Sequence, residues 1–131
     1  MPASDATRLQ LQKFERALQT LQETAAQNED RFVRDSLLLR FVYTFEMAWQ
    51  AMRLVMRDRG DEETPRVAYE TLAAAFKTGL VRDADLWKRL REARNNVSHA
   101  YDEQMAVALS AVVRQDALPE FARVLQVLQV S

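Results

Sequence analysis

The stretch Leu37-Leu38-Leu39-Arg40-Phe41-Val42-Tyr43-Thr44-Phe45-Glu46-Met47-Ala48-Trp49-Gln50-Ala51-Met52-Arg53-Leu54-Val55-Met56 decides the fold. At helical spacing its apolar positions fill two adjacent stripes. Leu37, Phe41, Ala48, Met52 and Val55 make one, and Leu38, Val42, Phe45, Trp49 and Met56 make the other. One neighbouring helix cannot cover so wide a face. The stretch therefore reads as a central helix, or as one that also meets a second subunit. Asn28 or Asp30 can cap it, and Gly60 can stop it by supplying a left-handed backbone conformation.

Outward from this helix the pattern stays helical. Leu11, Phe14, Leu18, Leu21 and Ala25 recur at steps of three and four from about Asp5 to Ala26. Thr64-Pro65 is a start signal, Thr as cap and Pro at the first helical position. Val67, Ala68, Leu72, Ala75 and Phe76 then form a short helix ending at Gly79. Asp83 opens another, with Leu86, Trp87, Leu90, Ala93 and Val97 apolar. A last helical stretch runs from about Glu103 to Gln129, and Pro119 should kink or divide it near Gln115, because proline removes a backbone donor and crowds the preceding turn. Short loops make sequential helices antiparallel neighbours. The expected fold is all-α: an antiparallel up-and-down bundle of four main helices plus a short one, forming a single domain over residues 1–131.

Composition narrows the chemistry. The 131 residues are 48% hydrophobic and 28% charged, in the range of a globular chain. There is no cysteine and one histidine, His99. Disulfides, Cys-ligated zinc, iron–sulfur clusters and thiol nucleophiles are excluded, as is a multi-histidine metal site within one chain. Two glycines are too few for the glycine-rich loops that cradle phosphates, and no metal or cofactor is expected. The formal net charge of −1 does not announce a nucleic-acid binder, so any site for a polyanion must be local. The start of the chain lacks the basic and apolar stretches of a signal peptide, and the run from Phe41 to Trp49 is too short to span a bilayer. A cytoplasmic protein is expected.

One segment carries chemistry: Arg91-Glu92-Ala93-Arg94-Asn95-Asn96-Val97-Ser98-His99-Ala100-Tyr101-Asp102-Glu103. On a continuous helix Asn95, His99 and Asp102 share one face, and Arg94, Ser98 and Tyr101 the next. Arg94 and His99 are five residues apart. They converge if the arginine reaches round, if the helix ends near His99, or if two subunits meet there. Histidine moves protons near neutrality, and arginine binds phosphate oxygens in pairs. Together they suit metal-independent cleavage of RNA, whose 2′-hydroxyl is a built-in nucleophile. A base and an acid on opposite sides of the phosphorus need two histidines, which a symmetric dimer supplies. The bland account stands beside this one: a histidine at a helix C-terminus, and cations after Asp83 and Asp85, follow the order the helix dipole prefers. Glu46 is either a surface residue between stripes or a buried partner for Arg94 or His99. Trp49 and Trp87 read as core or interface anchors. A helix-turn-helix over Val67–Arg94 is disfavoured, because Asp83 and Asp85 would repel phosphate from a recognition helix.

The sequence resembles the nucleotidyltransferase substrate-binding protein family, within the wider HEPN group. Arg40-Phe41, Phe45-Glu46, Ala48-Trp49, Thr64-Pro65-Arg66, Gly79-Leu80-Val81 and Trp87 carry the resemblance, and Arg94-Asn95-Asn96-Val97-Ser98-His99-Ala100-Tyr101-Asp102-Glu103 is its most specific piece. Arg, four residues, His, one residue, Tyr is the signature of a HEPN toxin subgroup. The resemblance implies a homodimer joined through the faces carrying the motif, and a small nucleotidyltransferase beside it. Two accounts attach. In one, the protein is a toxin that cleaves RNA, with Arg94 and His99 catalytic and Asn95, Asp102 and Glu46 supporting. The cognate nucleotidyltransferase is its antitoxin and transfers AMP to Tyr101. In the other, it is a non-catalytic subunit that helps the nucleotidyltransferase bind its substrate.

Overall fold

The computed structural model describes residues 3–60 and 67–130. It contains α1 (Asp5–Ala25), α2 (Arg31–Asp58), α3 (Ala68–Lys77), α4 (Ala84–Asn96), α5 (Glu103–Val112) and α6 (Leu118–Gln129). A 3-10 turn, Val97–His99, follows α4, and a π-helical turn, Val113–Ala117, joins α5 to α6. Because α5, the π turn and α6 are one helical run, the architecture is the expected bundle of four main helices plus short α3. No strand occurs among the described residues.

Local chemistry sets the boundaries. Ser4, Asp30, Asp83 and Asp102 each accept a backbone N–H of the first turn of the helix that follows, satisfying a donor that lacks an intrahelical partner. Of the two expected caps for α2, Asp30 is the one used. Gly60 and Gly79 follow α2 and α3 with φ of 104° and 86°, a conformation that a side chain disfavours. Thr64 and Pro65 lie outside the described residues. The helix of that region begins at Ala68, with Val67 at its cap position and no side-chain cap bond. Pro119 acts where the sequence placed its effect. The Leu118 N–H bonds the Val113 carbonyl, five residues back, so the backbone opens around Gln115 where the proline ring would otherwise crowd the preceding turn.

The α2 helix is central, packing against α1, α3, α5 and α6. Its first stripe is fully buried; from the second, Leu38, Phe45 and Met56 are buried while Val42 and Trp49 are half-buried. Phe121 of α6 packs edge-on to Phe14, stacks on Phe41 and meets Trp87, with Phe45 closing the cluster against Trp87. Trp87, expected as an anchor, is buried, and its indole N–H donates to Glu120 Oε2 at 2.6 Å. Glu120 is itself buried and takes two bonds from Arg123, which compensate its charge. Glu120 in turn holds the Arg123 guanidinium above its ordinary pKa. On α3 the expected stripe is only partly used: Leu72 and Ala75 are buried, but Val67 and Phe76 are exposed. A ten-residue helix packed on α2 and the edge of α4 has room to cover only part of that stripe.

Candidate functional site

The last turn of α4 presents Arg94 toward α2. Its Nε donates to Glu46 Oε1 at 2.9 Å, and the other oxygen of Glu46 accepts the Trp49 indole N–H at 2.9 Å. Of the two alternatives for Glu46, the structure realises a half-buried partner of Arg94. That bond occupies only Nε. Among the described residues neither terminal nitrogen of Arg94 has a hydrogen-bond partner, and the side chain is 39% exposed. The guanidinium is thus held at its root, with its outer edge free for a pair of oxygens.

Beyond Arg94 the α-helix does not continue. It ends at Asn96, the chain tightens into the 3-10 turn Val97–His99, and the Asp102 N–H then bonds the His99 carbonyl. The face-sharing expected of a continuous helix, Asn95 with His99 and Asp102, and Arg94 with Ser98 and Tyr101, is therefore broken. Of the three conditions named for Arg94 and His99 to meet, the structure shows a helix that ends near His99. Two local bonds accompany the change: the Ser98 hydroxyl donates to the Asn95 carbonyl, and Asp102 caps the next helix by accepting from Met105 N–H. Asn95 and His99 are exposed and form no side-chain hydrogen bond among the described residues. Tyr101 stands out by its exposure of 89%. It borders a groove of about 560 Å³ between this turn and the start of α2, where Arg31, Arg34, Leu39 and Val97 are neighbours. The exposed side of α2 next to this groove carries Leu39 and Tyr43, 51% and 53% exposed, a third apolar strip beyond the two that fill the core.

Between the last turn of α4 and the cap of α5 the chain offers a held cation, an exposed imidazole and an exposed phenol. No group of three acidic, histidine or cysteine residues gathers among the described residues to hold a metal ion. None of their helices is long and apolar enough to cross a membrane. Two polar clusters escaped the sequence reading. Glu120 and Arg123 fix Trp87, and Glu29 accepts from Ser110, Arg34 and Arg114 to lock the α1–α2 loop onto α5 and the π turn. The three hydrogen bonds, led by Ser110, hold the Glu29 carboxyl below its usual range against the opposing effect of burial. Trp87, Ser110 and Arg114 lie more than thirty residues from the carboxylates they bond, beyond any spacing rule, whereas Arg123 and Arg34 lie three and five residues from theirs, where local spacing was the available signal.

Comparison with known proteins shows what the chain is similar to. The family described as nucleotidyltransferase substrate binding protein like matches residues 9–130. A curated relative from Haemophilus influenzae, named probable ribonuclease HepT, is 27% identical over 93% of this chain and 93% of its own length. A crystal structure from Thermus thermophilus is similar at 29% identity and a TM-score of 0.73, covering 89% of this chain and 96% of that one. A Haemophilus influenzae structure, reported as the fold of a substrate-binding domain of a nucleotidyltransferase, is similar at 25% identity and a TM-score of 0.78, over 91% and 98%.

Proposed function

This chain belongs to the nucleotidyltransferase substrate-binding-like family, and from that membership and the geometry of the motif we propose that it is a metal-independent endoribonuclease toxin, active as a homodimer and silenced by AMP transfer from a cognate nucleotidyltransferase. The observation that carries the reading is Arg94: Glu46 occupies its Nε and leaves the phosphate-binding edge free, three residues before the turn that exposes His99. In this reading His99 takes the proton of an RNA 2′-hydroxyl. That oxygen attacks the adjacent phosphorus, and the bond to the 5′-oxygen breaks. The products are a 2′,3′-cyclic phosphate and a 5′-hydroxyl, the latter protonated by the same histidine of a second copy. Arg94 stabilises the charge that develops on the phosphorus oxygens. The Leu39 and Tyr43 strip gives the dimer an apolar seam beside the motif.

Tyr101 is the acceptor in the silencing step. Its phenol oxygen attacks the α-phosphorus of ATP, pyrophosphate leaves, and the phenol proton passes to a base of the nucleotidyltransferase. The adduct sets a phosphate two residues from His99, where it repels and blocks an incoming RNA phosphate. The test is expression in a bacterial host. The chain alone should arrest growth and cleave RNA, and His99→Ala and Arg94→Ala should each remove both effects while the dimer persists in size-exclusion chromatography. Full toxicity of both variants refutes the catalytic assignment. Tyr101→Phe should stay toxic beside the nucleotidyltransferase, and mass spectrometry should find AMP on the wild-type tyrosine only.

A second reading is supported by the Haemophilus structure reported as a nucleotidyltransferase substrate-binding domain. There the chain binds substrate for its partner and cuts nothing. It predicts a stable complex, intact RNA and no growth arrest.

A further inference from the structure

On the α3 side of α4 lies a groove of about 410 Å³ that the reaction described above does not use. Tyr69 and Phe76 open onto it from α3 and remain 64% and 49% exposed, too much for rings serving only the core. Seven residues separate them, two turns of helix, so they share a face at roughly 10 Å along the axis. Three cations line the same groove: Lys77 from the end of α3, and Lys88 and Arg91 from α4. Asp85, in the first turn of α4, is the one acidic group on the lining. The Arg91 guanidinium sits over one face of the Tyr69 ring, 4.9 Å from its centroid, which orders a charged donor on a ring that stays 64% exposed.

The groove also has a direction. Lys88, Arg91 and Asn95 follow at steps of three and four, so they occupy one flank of α4. From Arg91 to His99 the chain rises roughly 12–14 Å, first as α-helix and then as 3-10 turn. At the other end Asp85, together with the capping Asp83, closes the cationic flank with negative charge.

We propose that this groove is a binding track for single-stranded RNA: bases stack on Tyr69 and Phe76, Lys77, Lys88 and Arg91 hold the intervening phosphates, and the strand runs along α4 to Asn95 and the His99 turn. Alternating aromatic rings and cations along a groove is the chemistry that single strands select, since every base offers a π-face and every linkage a charge. An apolar partner helix is a poorer match, because covering the rings would strip water from three cations that lack carboxylate partners among the described residues. The proposal rests on the RNA reading of the motif, but it is tested by binding and not by cleavage.

The experiment is filter binding of a short unstructured oligoribonucleotide to the His99→Ala protein, so that the probe is not consumed. In that background Tyr69→Ala and Phe76→Ala should each weaken binding by about tenfold. Lys88→Gln should weaken it too and reduce the salt dependence by about one phosphate contact. Tyr69→Phe keeps the π-face and should bind as the parent does, which a role through the phenol hydroxyl would not give, and an unchanged melting temperature in Tyr69→Ala separates lost stacking from lost fold. Unchanged affinity in both alanine variants overturns the proposal, as does a parent protein that fails to bind the probe. If the alanine variants lose the nucleotidyltransferase instead of RNA, the groove belongs to that protein and the proposal is wrong. Groove-dependent binding without cleavage by the wild type defeats the nuclease reading alone, while cleavage with groove-independent binding defeats the track alone.

Discussion

Glu46 holds two donors with one carboxylate, Arg94 through Oε1 and Trp49 through Oε2. Its value lies in aim more than in stability, because the pair is partly exposed and such pairs contribute about 1 kcal/mol or less. Glu46→Ala should therefore shift the melting temperature little but lower RNA cleavage by about tenfold or more, since an unheld guanidinium presents its edge only part of the time. Cleavage at the wild-type rate in Glu46→Ala removes this residue from the site. The sequence showed that Glu46 interrupts an apolar helix, which is why it could be singled out. It could not choose between solvent and Arg94, because that choice depends on how α4 is rotated against α2, and rotation is set by side chains spread over the whole core.

At the scale of the element, the end of α4 matters most. A helix extended by one more turn would have kept the motif in register. Asn96 ends it instead, and Asp102 starts α5. Asp102 thus has a structural task, as the cap of α5, that the family signature does not convey. Asp102→Asn should keep both fold and cleavage, since asparagine caps as well. Asp102→Ala should cost about 0.5–2 kcal/mol by denaturant titration. If Asp102→Asn loses cleavage as completely as His99→Ala, the carboxylate takes part in the chemistry and capping is not its main role. Where a side-chain cap exists, helix starts were legible because a cap is a local device: Asp30, Asp83 and the Pro119 disturbance fall where spacing put them, while α3 begins at Ala68 with no side-chain cap and not at the Thr64-Pro65 signal. The break after Asn96 was not, because Asn95, Asn96 and Ser98 are compatible with either helix or turn. The bond from Ser98 to the Asn95 carbonyl is an outcome of the fold more than a signal in it.

In the whole molecule, acid stability follows from two carboxylates. Hydrogen bonding by Ser110 lowers the pKa of Glu29 from its usual 4.5, and hydrogen bonding by Thr7 lowers that of Asp58 from its usual 3.8. A carboxyl with a depressed folded-state pKa prefers to be charged when folded. It therefore stabilises the fold above its unfolded pKa, and that contribution is lost as the pH falls through the folded pKa. The melting temperature should stay level near neutrality with respect to these groups and decline below about pH 4.5. Ser110→Ala and Thr7→Val should each shrink the decline, and a melting temperature that does not change from about pH 5 to about pH 3 contradicts the assignment. The bundle itself was legible from the helical spacing and from the width of the α2 stripes, which called for more than one neighbour; that the neighbours are α1, α3, α5 and α6 came from the structure. The ion and hydrogen-bond clusters that tie its ends were not, because they join residues far apart in sequence, as Glu29 and Arg114 are.

The two tryptophans divide the molecule between them. Trp87 lies in the core with its indole bonded to Glu120, and Trp49 lies half-buried with its indole bonded to the carboxylate that aims Arg94. Each ring is an intrinsic fluorophore in a different polarity, and each has its own hydrogen-bond partner. A single-tryptophan variant that retains Trp49 reports optically on movement at the motif while the core stays intact. Its counterpart that retains Trp87 stays silent until the bundle opens. The chain therefore carries built-in optical labels that separate rearrangement of the site from loss of the fold.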